Sequence, residues 1–382
     1  MVQPAGQLLA ATNNPTKSGW LERMLKNFTT SYKLFWFRGV LDEVCSGSAQ
    51  MPLRRIAARM VASAWYPVVY FRLSLGFGDQ LANCVDCALK VTALTKDSSP
   101  AEIIAAIESS DDKTLSRNLK KLIDYVPYRL IRPFYDKEFG ELRQQQGAVK
   151  DSEVNYFIIG LNQRNSAGEL YVFGKGQETL TVNPDWVEFL RDNQTIVSGW
   201  LDMKLVEYLQ ARNPSVPAIS AELYAPQKRD LAPATKYWLE ALKFIELRDI
   251  YSGRPLNSAN FDRFGQLSID HFIPWSFVLH DEPWNLTPIF KNENSSKSDK
   301  LPSLESFLEP FANQQFDALM AVRNTGRHKK YIERYLTVDA NVLTYEPRLE
   351  CRELFRANLE RTIKPLHQIA LNQGFSSWHF AE

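Results

Sequence analysis

Two short apolar stretches, Leu267–His271 and Trp284–Phe290, flank a loop and are followed at once by a polar segment opening at Asn292. This arrangement constrains the fold more than any other feature of the chain. The first stretch reads as a strand ending in two adjacent polar groups, Asp270 and His271, with Pro274 stopping ladder pairing soon afterwards. The second reads as another strand, and Asn292 is placed to cap a helix running to Lys297. Strand, loop, strand and helix make a ββα arrangement. A helix over Ala234–Leu247 precedes it, and Phe307 to Glu382 is expected to wrap around it.

The polar residues of this segment suit the hydrolysis of a phosphodiester. That reaction needs an activated water, a Lewis acid on the phosphate and stabilisation of the leaving oxygen. An imidazole titrating near neutrality suits the first, which His271 can supply. A carboxylate and an amide oxygen suit a hard cation such as Mg²⁺, and Asp270 and Asn294 carry them. Neighbours on a strand point to opposite sides, so Asp270 and His271 reach one site only if the strand bends there.

The segment from about Asp249 to Phe307 resembles the HNH, or ββα-metal, endonuclease family. It is most similar to the zinc-free HNH domain of the CRISPR-guided DNA nucleases, with its Asp-His-Ile-x-Pro and Lys-Asn-x-x-Lys-Ser-Asp elements. Here Phe272 replaces the Ile and Glu293 stands where the first Lys would be. Fourteen positions separate His271 from Asn285 and nine separate Asn285 from Asn294, as in that domain. The resemblance implies that His271 is the general base and that Asn285 braces the loop and orients it. Asp270 and Asn294 would then hold the divalent ion, Mg²⁺ or Mn²⁺, on a backbone bent enough to bring the neighbours together. Many family members carry two Cys-x-x-Cys pairs on a structural zinc. The corresponding places here hold Asp249, Ser252, Phe290 and Glu293, so no structural zinc is expected. Packing of Trp275, Trp284 and Phe290 would hold the module instead.

The formal net charge of +1 excludes a globally basic protein, so any nucleic-acid surface must be a local patch. Lys291, Lys297 and Lys300 flank the metal-ligand position, and Arg327, Lys329 and Lys330 form the strongest basic cluster. Both groups are candidate phosphate contacts. His280 reads as a surface residue of the loop between the strands.

The remainder reads as mostly helical, with helices over Asn14–Val44, Leu53–Ala64, Pro100–Ser109, Lys113–Tyr125 and Pro184–Arg212. Thr29, Thr30 and Ser31 offer caps before the bulky run Tyr32–Arg38, which belongs in a core. Tyr156–Leu161 and Glu169–Gly174 flank a polar turn and suggest a hairpin, to which Thr179–Val182 adds a strand. Asn213–Pro233 reads as a linker. The four cysteines make no disulfide framework, and Cys84 and Cys87 have no second pair with which to form a zinc site. Val61–Phe77, broken by Pro67 and Arg72, is too interrupted to span a bilayer, and Met1–Ala11 lacks the pattern of a signal peptide.

The expectation is therefore an α+β protein, predominantly α-helical, with a C-terminal ββα-metal module embedded in helices. Residues 1–226 form a mostly helical regulatory or targeting region, and 227–382 form the nuclease domain. The substrate is DNA, with RNA the alternative, in a cytoplasmic protein without a membrane partner. A protein partner or activating ligand would act through the first region. The role expected by association is a restriction or phage-defence effector. A scaffold with an inactive HNH fold is the other alternative, against which the intact Asp270, His271 and Asn294 argue.

Overall fold

Helices carry most of the chain, and the few strands are short. A computed structural model describes residues 8–26, 29–147, 149–164, 168–226 and 229–380. The chain divides into two compact units. The first comprises Met1–Pro214 with Ile219–Pro226, and the second comprises Ser215–Ala218 with Gln227–Glu382.

The first unit is built around the aromatic run. Helix α1 (Pro15–Met24) is followed by α2 (Tyr32–Cys45), in which Phe35, Trp36 and Phe37 are all buried. Bulky apolar side chains on successive positions point to several sides of the helix, so most of it must be enclosed. Strand β1 (Gln50–Pro52) leads into α3 (Leu53–Trp65), which crosses α2 at Gly39. A Cβ at Gly39 would meet Ile56 Cγ2 at 3.0 Å and Arg59 Cβ at 3.1 Å, so the crossing requires glycine there. Buried Glu43 accepts from Arg55 Nε at 2.9 Å and Arg59 Nε at 2.5 Å, tying the same pair of helices.

The helices that follow are α4 (Gln80–Val91), α5 (Pro100–Ser109), α6 (Lys113–Ile123), α7 (Val126–Ile131), α8 (Asp136–Gln146) and α9 (Asp151–Arg164). Cys84 and Cys87 lie on α4, and burial pushes the Cys84 thiol up to about 12, away from the thiolate that metal or redox chemistry needs. Strands β2 (Tyr171–Phe173) and β3 (Thr179–Val182) form an antiparallel sheet with β1, in the order β1-β3-β2. Two helices, α10 (Pro184–Asp192) and α11 (Gln194–Gln210), follow, and then a 3-10 turn at Ile219–Ala221.

Three local expectations are corrected. Tyr156–Leu161 is helical, within α9, so the hairpin joins β2 to β3 instead. Val154, Ile158, Ile159 and Asn162 form the buried face of α9, while Tyr156 is exposed. A short apolar run cannot separate strand from helix by period alone. Asn162 settles the packing: its amide donates to Tyr171 O and accepts from Phe173 N, fastening α9 to β2. Ser31 occupies the cap position of α2, but its hydroxyl donates to Asp79 at 2.8 Å rather than capping. The segment expected as a linker, 213–233, buries Ile219, Glu222 and Leu223, and Tyr224 donates to Asp202 at 2.6 Å.

In the second unit, α12 (Ala232–Ala241) precedes α13 (Ser258–Phe264), β4 (Leu267–His271), α14 (Trp275–Val278), β5 (Leu286–Phe290) and α15 (Lys291–Lys297). Then come β6 (Leu301–Pro302), α16 (Leu304–Arg323), α17 (Lys329–Glu333), α18 (Leu349–Asn372) and β7 (Ser377–Trp378). Strands β4 and β5 pair antiparallel from Leu267↔Phe290 to His271↔Leu286. Strand β5 is buried at every position, so exposure does not alternate along it, and its one polar side chain, Thr287, accepts from Gln314. Long helices α16 and α18 pack through Phe316 and Phe355, and β7 pairs in parallel with β6. Helix α15 starts at Lys291 with Phe290 in the cap position, so Asn292 is inside the first turn and is not the cap.

Among the described residues no helix is long and apolar enough to cross a membrane.

Candidate active site

Strand β4 delivers Asp270 and His271 to its C-terminal end, where both side chains are buried. They take different partners. Asp270 Oδ2 accepts from the Tyr251 hydroxyl at 2.8 Å, and Oδ1 accepts from Lys297 Nζ at 3.1 Å. His271 Nε2 lies 2.7 Å from Asp281 Oδ1. The ammonium of Lys297 bridges the two positions, since it also donates to the His271 carbonyl at 2.8 Å.

Asp281 was not visible as a functional residue in the sequence. It sits in the loop ten positions beyond His271, where no periodicity marks it. A carboxylate can only accept, so Nε2 carries the proton and Nδ1 carries the lone pair. Burial pushes the His271 imidazole below its usual value, against the opposing pull of the Asp281 hydrogen bond and the Asp270 charge. The ring is therefore neutral near pH 7, the form in which it can accept a proton.

Lys297 requires a correction. The polar context of α15 made it a candidate phosphate contact at the surface, yet its side chain is fully buried as the counter-ion of Asp270. Lys291, which opens the helix, is exposed, and Lys300, three residues beyond its end, is half-buried. Burial and the neighbouring Asp270 charge push Tyr251 well above the usual tyrosine value, so its hydroxyl stays a donor. Trp378 of β7 stands edge-on to Tyr251 at 4.8 Å, and Phe380 packs on Trp378. The end of the chain thus supports the Asp270 partner.

Asn285 is fully buried and makes a reciprocal pair with the backbone of one residue: Oδ1 accepts from Ile273 N and Nδ2 donates to Ile273 O, each at 2.8 Å. Its carbonyl also accepts from Phe272 N at 2.8 Å. These bonds fix the backbone directly after His271. Asn294 projects from α15 toward β4, where Nδ2 donates to Ser268 Oγ at 2.6 Å and to Ile269 O at 3.3 Å. Both donor bonds point at the strand, which leaves Oδ1 as the acceptor of this amide.

Whether these residues fit a divalent ion can be judged from the donor set. Asp270 is a buried carboxylate already holding a cation, the Lys297 ammonium, and Asn294 supplies a second hard oxygen. Among the described residues no group of three His, Cys, Asp or Glu side chains could hold a metal. Two protein oxygens suffice for an ion that keeps several waters or takes substrate phosphate oxygens, as Mg²⁺ does. Asp270 and Asn294 are the residues that could offer oxygens to such an ion, which at Asp270 would have to take the place of the Lys297 ammonium or the Tyr251 hydroxyl, since these now occupy both carboxylate oxygens.

The zinc-like positions are joined by Asp249. Its Oδ1 accepts from Tyr251 N and Ser252 N, and its Oδ2 accepts from Phe290 N, all at 2.9 Å, with no exposure to solvent. One carboxylate thus ties the 249–254 turn to the junction of β5 and α15. Arg254 approaches Glu293 at 3.8 Å and covers the ring of Phe264. Of the expected packing residues, Phe290 is fully enclosed against Phe261 and Phe264, and Trp284 is buried beside His280. Trp275 is half-buried, with Arg229 over its ring. His280 is half-buried rather than a free surface residue.

The basic cluster opens α17. Lys329 and Lys330 are exposed, and Arg327 pairs with Glu240 at 3.1 Å while remaining largely exposed. Arg334, one turn on, clamps Glu282 through two bonds of 3.1 and 2.8 Å. Glu282 follows Asp281, so the basic helix anchors the loop that carries the histidine partner.

No curated protein and no solved structure matches the chain. Residues 249–303 match the family model described as HNH endonuclease, and this match supports the HNH family for the segment that carries Asp270, His271, Asn285 and Asn294.

Proposed function

We propose that this protein is a metal-dependent HNH endonuclease that hydrolyses phosphodiester bonds in DNA, with Mg²⁺ or Mn²⁺ as its cofactor. The observation that carries the reading is the buried, oriented imidazole of His271, next to a carboxylate, inside the segment matched by the HNH family model. The zinc-free spacing shared with the CRISPR-guided nucleases supports it.

In this reading His271 Nδ1 takes a proton from the attacking water. Asp281 holds Nε2–H and so keeps the lone pair on the reacting nitrogen. Asn285 would hold the peptide after His271 through its backbone carbonyl and Ile273 through its side chain, and so steady the backbone that carries the ring. Asp270 Oδ1 and Asn294 Oδ1 would hold the ion. When bound, the ion supplies Lewis-acid stabilisation of the phosphate and of the leaving oxygen. Tyr251 holds the far oxygen of Asp270, and before an ion takes Oδ1 Lys297 ties that carboxylate to the His271 carbonyl. Lys291, Lys300, Lys329, Lys330 and Arg327 would hold the phosphate backbone through charge.

Residues 227–382 act as the nuclease domain, and residues 1–226 target or regulate it through a ligand or a partner protein. A restriction or phage-defence effector is the biological role most consistent with that division. The test is incubation of the purified chain with plasmid, linear DNA and RNA, with Mg²⁺ or Mn²⁺ and with EDTA. Metal-dependent DNA cleavage is expected. Cleavage of RNA alone would replace the substrate, and no cleavage of any polymer would refute the reading.

A further inference from the structure

The first unit contains a pocket of about 340 Å³ that the nuclease reading does not use. Its walls are mostly apolar. Phe35 of α2, Ala62 of α3, Ile104 of α5, Leu205 of α11 and Leu223 beyond the 3-10 turn all line it, and all are buried. Tyr224, more than half exposed, lines it too, and its hydroxyl donates to Asp202 at 2.6 Å.

Four charged side chains face the same space: Arg38 and Asp42 on α2, Arg59 on α3 and Asp202 on α11. Three of them are already paired. Arg38 donates to Asp202, and Arg59 donates to Glu43 at 2.5 Å. Asp42 is different. It is half-buried, and among the described residues its carboxylate takes no hydrogen bond and no ion pair, although its backbone carbonyl accepts from Ser46 Oγ at 2.7 Å. Burial raises the Asp42 pKa; the Arg38 and Arg59 charges oppose this, and Asp202 and Glu43 raise it further. The carboxylate therefore stands where a positive donor would be favourable.

Charge and walls together decide the class of ligand. A carboxylate or phosphate would compete with Asp202 and Glu43, which the arginines already hold, and would stand against Asp42. An ammonium instead meets an acceptor that has no other partner. Among the described residues no group of three His, Cys, Asp or Glu side chains could hold a metal ion. The apolar walls suit carbon rather than a hydrated ion, and the volume lies near the lower end of sites for small organic molecules. We propose that this pocket binds a small organic amine, its ammonium on Asp42 and its apolar body among Phe35, Ala62, Ile104, Leu205 and Leu223. The site lies wholly within the first unit, so the proposal does not depend on the nuclease assignment.

The test uses the full chain at neutral pH, with isothermal titration of phenethylamine, phenethyl alcohol and hydrocinnamate, which share a ring and differ in the end group. Phenethylamine should bind, phenethyl alcohol at least about tenfold more weakly, and hydrocinnamate not measurably at the same concentrations. Asp42→Asn should lose at least about tenfold in amine affinity. Ala62→Leu, which fills the pocket and leaves Asp42 in place, should abolish measurable binding. Methyl NMR signals of Ile104 and Leu205 in the wild type should shift with the amine, so the site is located even where a variant fails to fold by circular dichroism. No binding of phenethylamine at millimolar concentration overturns the proposal. Equal affinity in wild type and a folded variant overturns it as well, as do methyl shifts confined to residues outside the pocket. Binding of phenethyl alcohol or hydrocinnamate as tight as that of phenethylamine would overturn the assignment of an amine.

Discussion

Replacing Lys297 with Met tests the idea that the pocket beside Asp270 is built for a cation. Lys297 is fully buried, and its ammonium supplies one of the two side-chain bonds to the Asp270 carboxylate. Met fills similar space but leaves a buried carboxylate with Tyr251 as its remaining donor. Breaking a buried pair from one side costs about 3–5 kcal/mol. For a unit of this size each kcal/mol moves the melting temperature by roughly 2–4 °C, so the expected fall is roughly 6–20 °C. Thermal denaturation followed by circular dichroism measures it. The informative arm is the same melt with Mn²⁺. An ion at a thousandfold excess over its dissociation constant stabilises by about 4 kcal/mol, enough to restore most of the loss. Mn²⁺ should therefore raise the variant's melting temperature more than the wild type's, because the ammonium no longer competes for Asp270. The Asp270→Asn/Lys297→Met pair should recover part of the stability without metal and show no metal response. A variant that melts within 1–2 °C (roughly half a kcal/mol by the same scaling) of wild type would refute the reasoning. So would Mn²⁺ shifting wild type and variant equally.

Asp281→Ala should lower the cleavage rate by about tenfold to a hundredfold with KM little changed, and Asp281→Asn should recover part of it, because its amide oxygen can still accept from Nε2. Nitrogen-15 chemical shifts of the His271 ring should show the Nε2–H form in wild type and a mixture in Asp281→Ala; one unchanged tautomer in both would contradict the role given to Asp281. Asp249→Ala should destabilise the second unit by about 3–5 kcal/mol, since three buried backbone donors lose their acceptor. Elemental analysis of the wild type should find no stoichiometric zinc, and one tightly held zinc per chain would reverse that account. Glu222 is buried with one oxygen unpartnered, and burial raises its pKa from 4.5 to about 8. The folded state therefore binds the proton more tightly than the unfolded state. That contribution is fully present below pH 4.5 and is lost as pH rises through about 8. Urea denaturation of wild type should lose about 2–3 kcal/mol between pH 6 and 9 that Glu222→Gln does not lose; identical pH dependence would contradict this.

The ββα core was legible because its two strands and the polar turn after them carry strong local signals. The Asp270-His271 pair and the spacings to Asn285 and Asn294 identified which positions to watch. Asn285 exchanges two bonds with Ile273, a contact its position in the sequence did not name. Three features were not legible because they depend on contacts between distant positions. Lys297 looked like a solvated cation, and only the packing of α15 on β4 buries it against Asp270. Asp281 lies in a loop where no period operates, and its partner is identified by geometry alone. Asp249 is marked in the sequence only by standing where many family members carry a zinc-ligating cysteine, and its second oxygen reaches Phe290 far along the chain. The same limit explains Tyr156–Leu161, whose six residues fit either period until Asn162 fastens α9 to β2. Asp270 and His271 take different side-chain partners, and Lys297 connects the carboxylate to the histidine backbone.

The central claim is that His271 is the base of a phosphodiester hydrolysis. Its most direct test is cleavage of supercoiled plasmid by wild type and His271→Ala, side by side in Mg²⁺ or Mn²⁺, with circular dichroism and a DNA-binding assay on the same samples. The account predicts a fall of about 10²–10⁴-fold or more in rate with fold and DNA binding retained. A folded His271→Ala protein that cuts at the wild-type rate would contradict it.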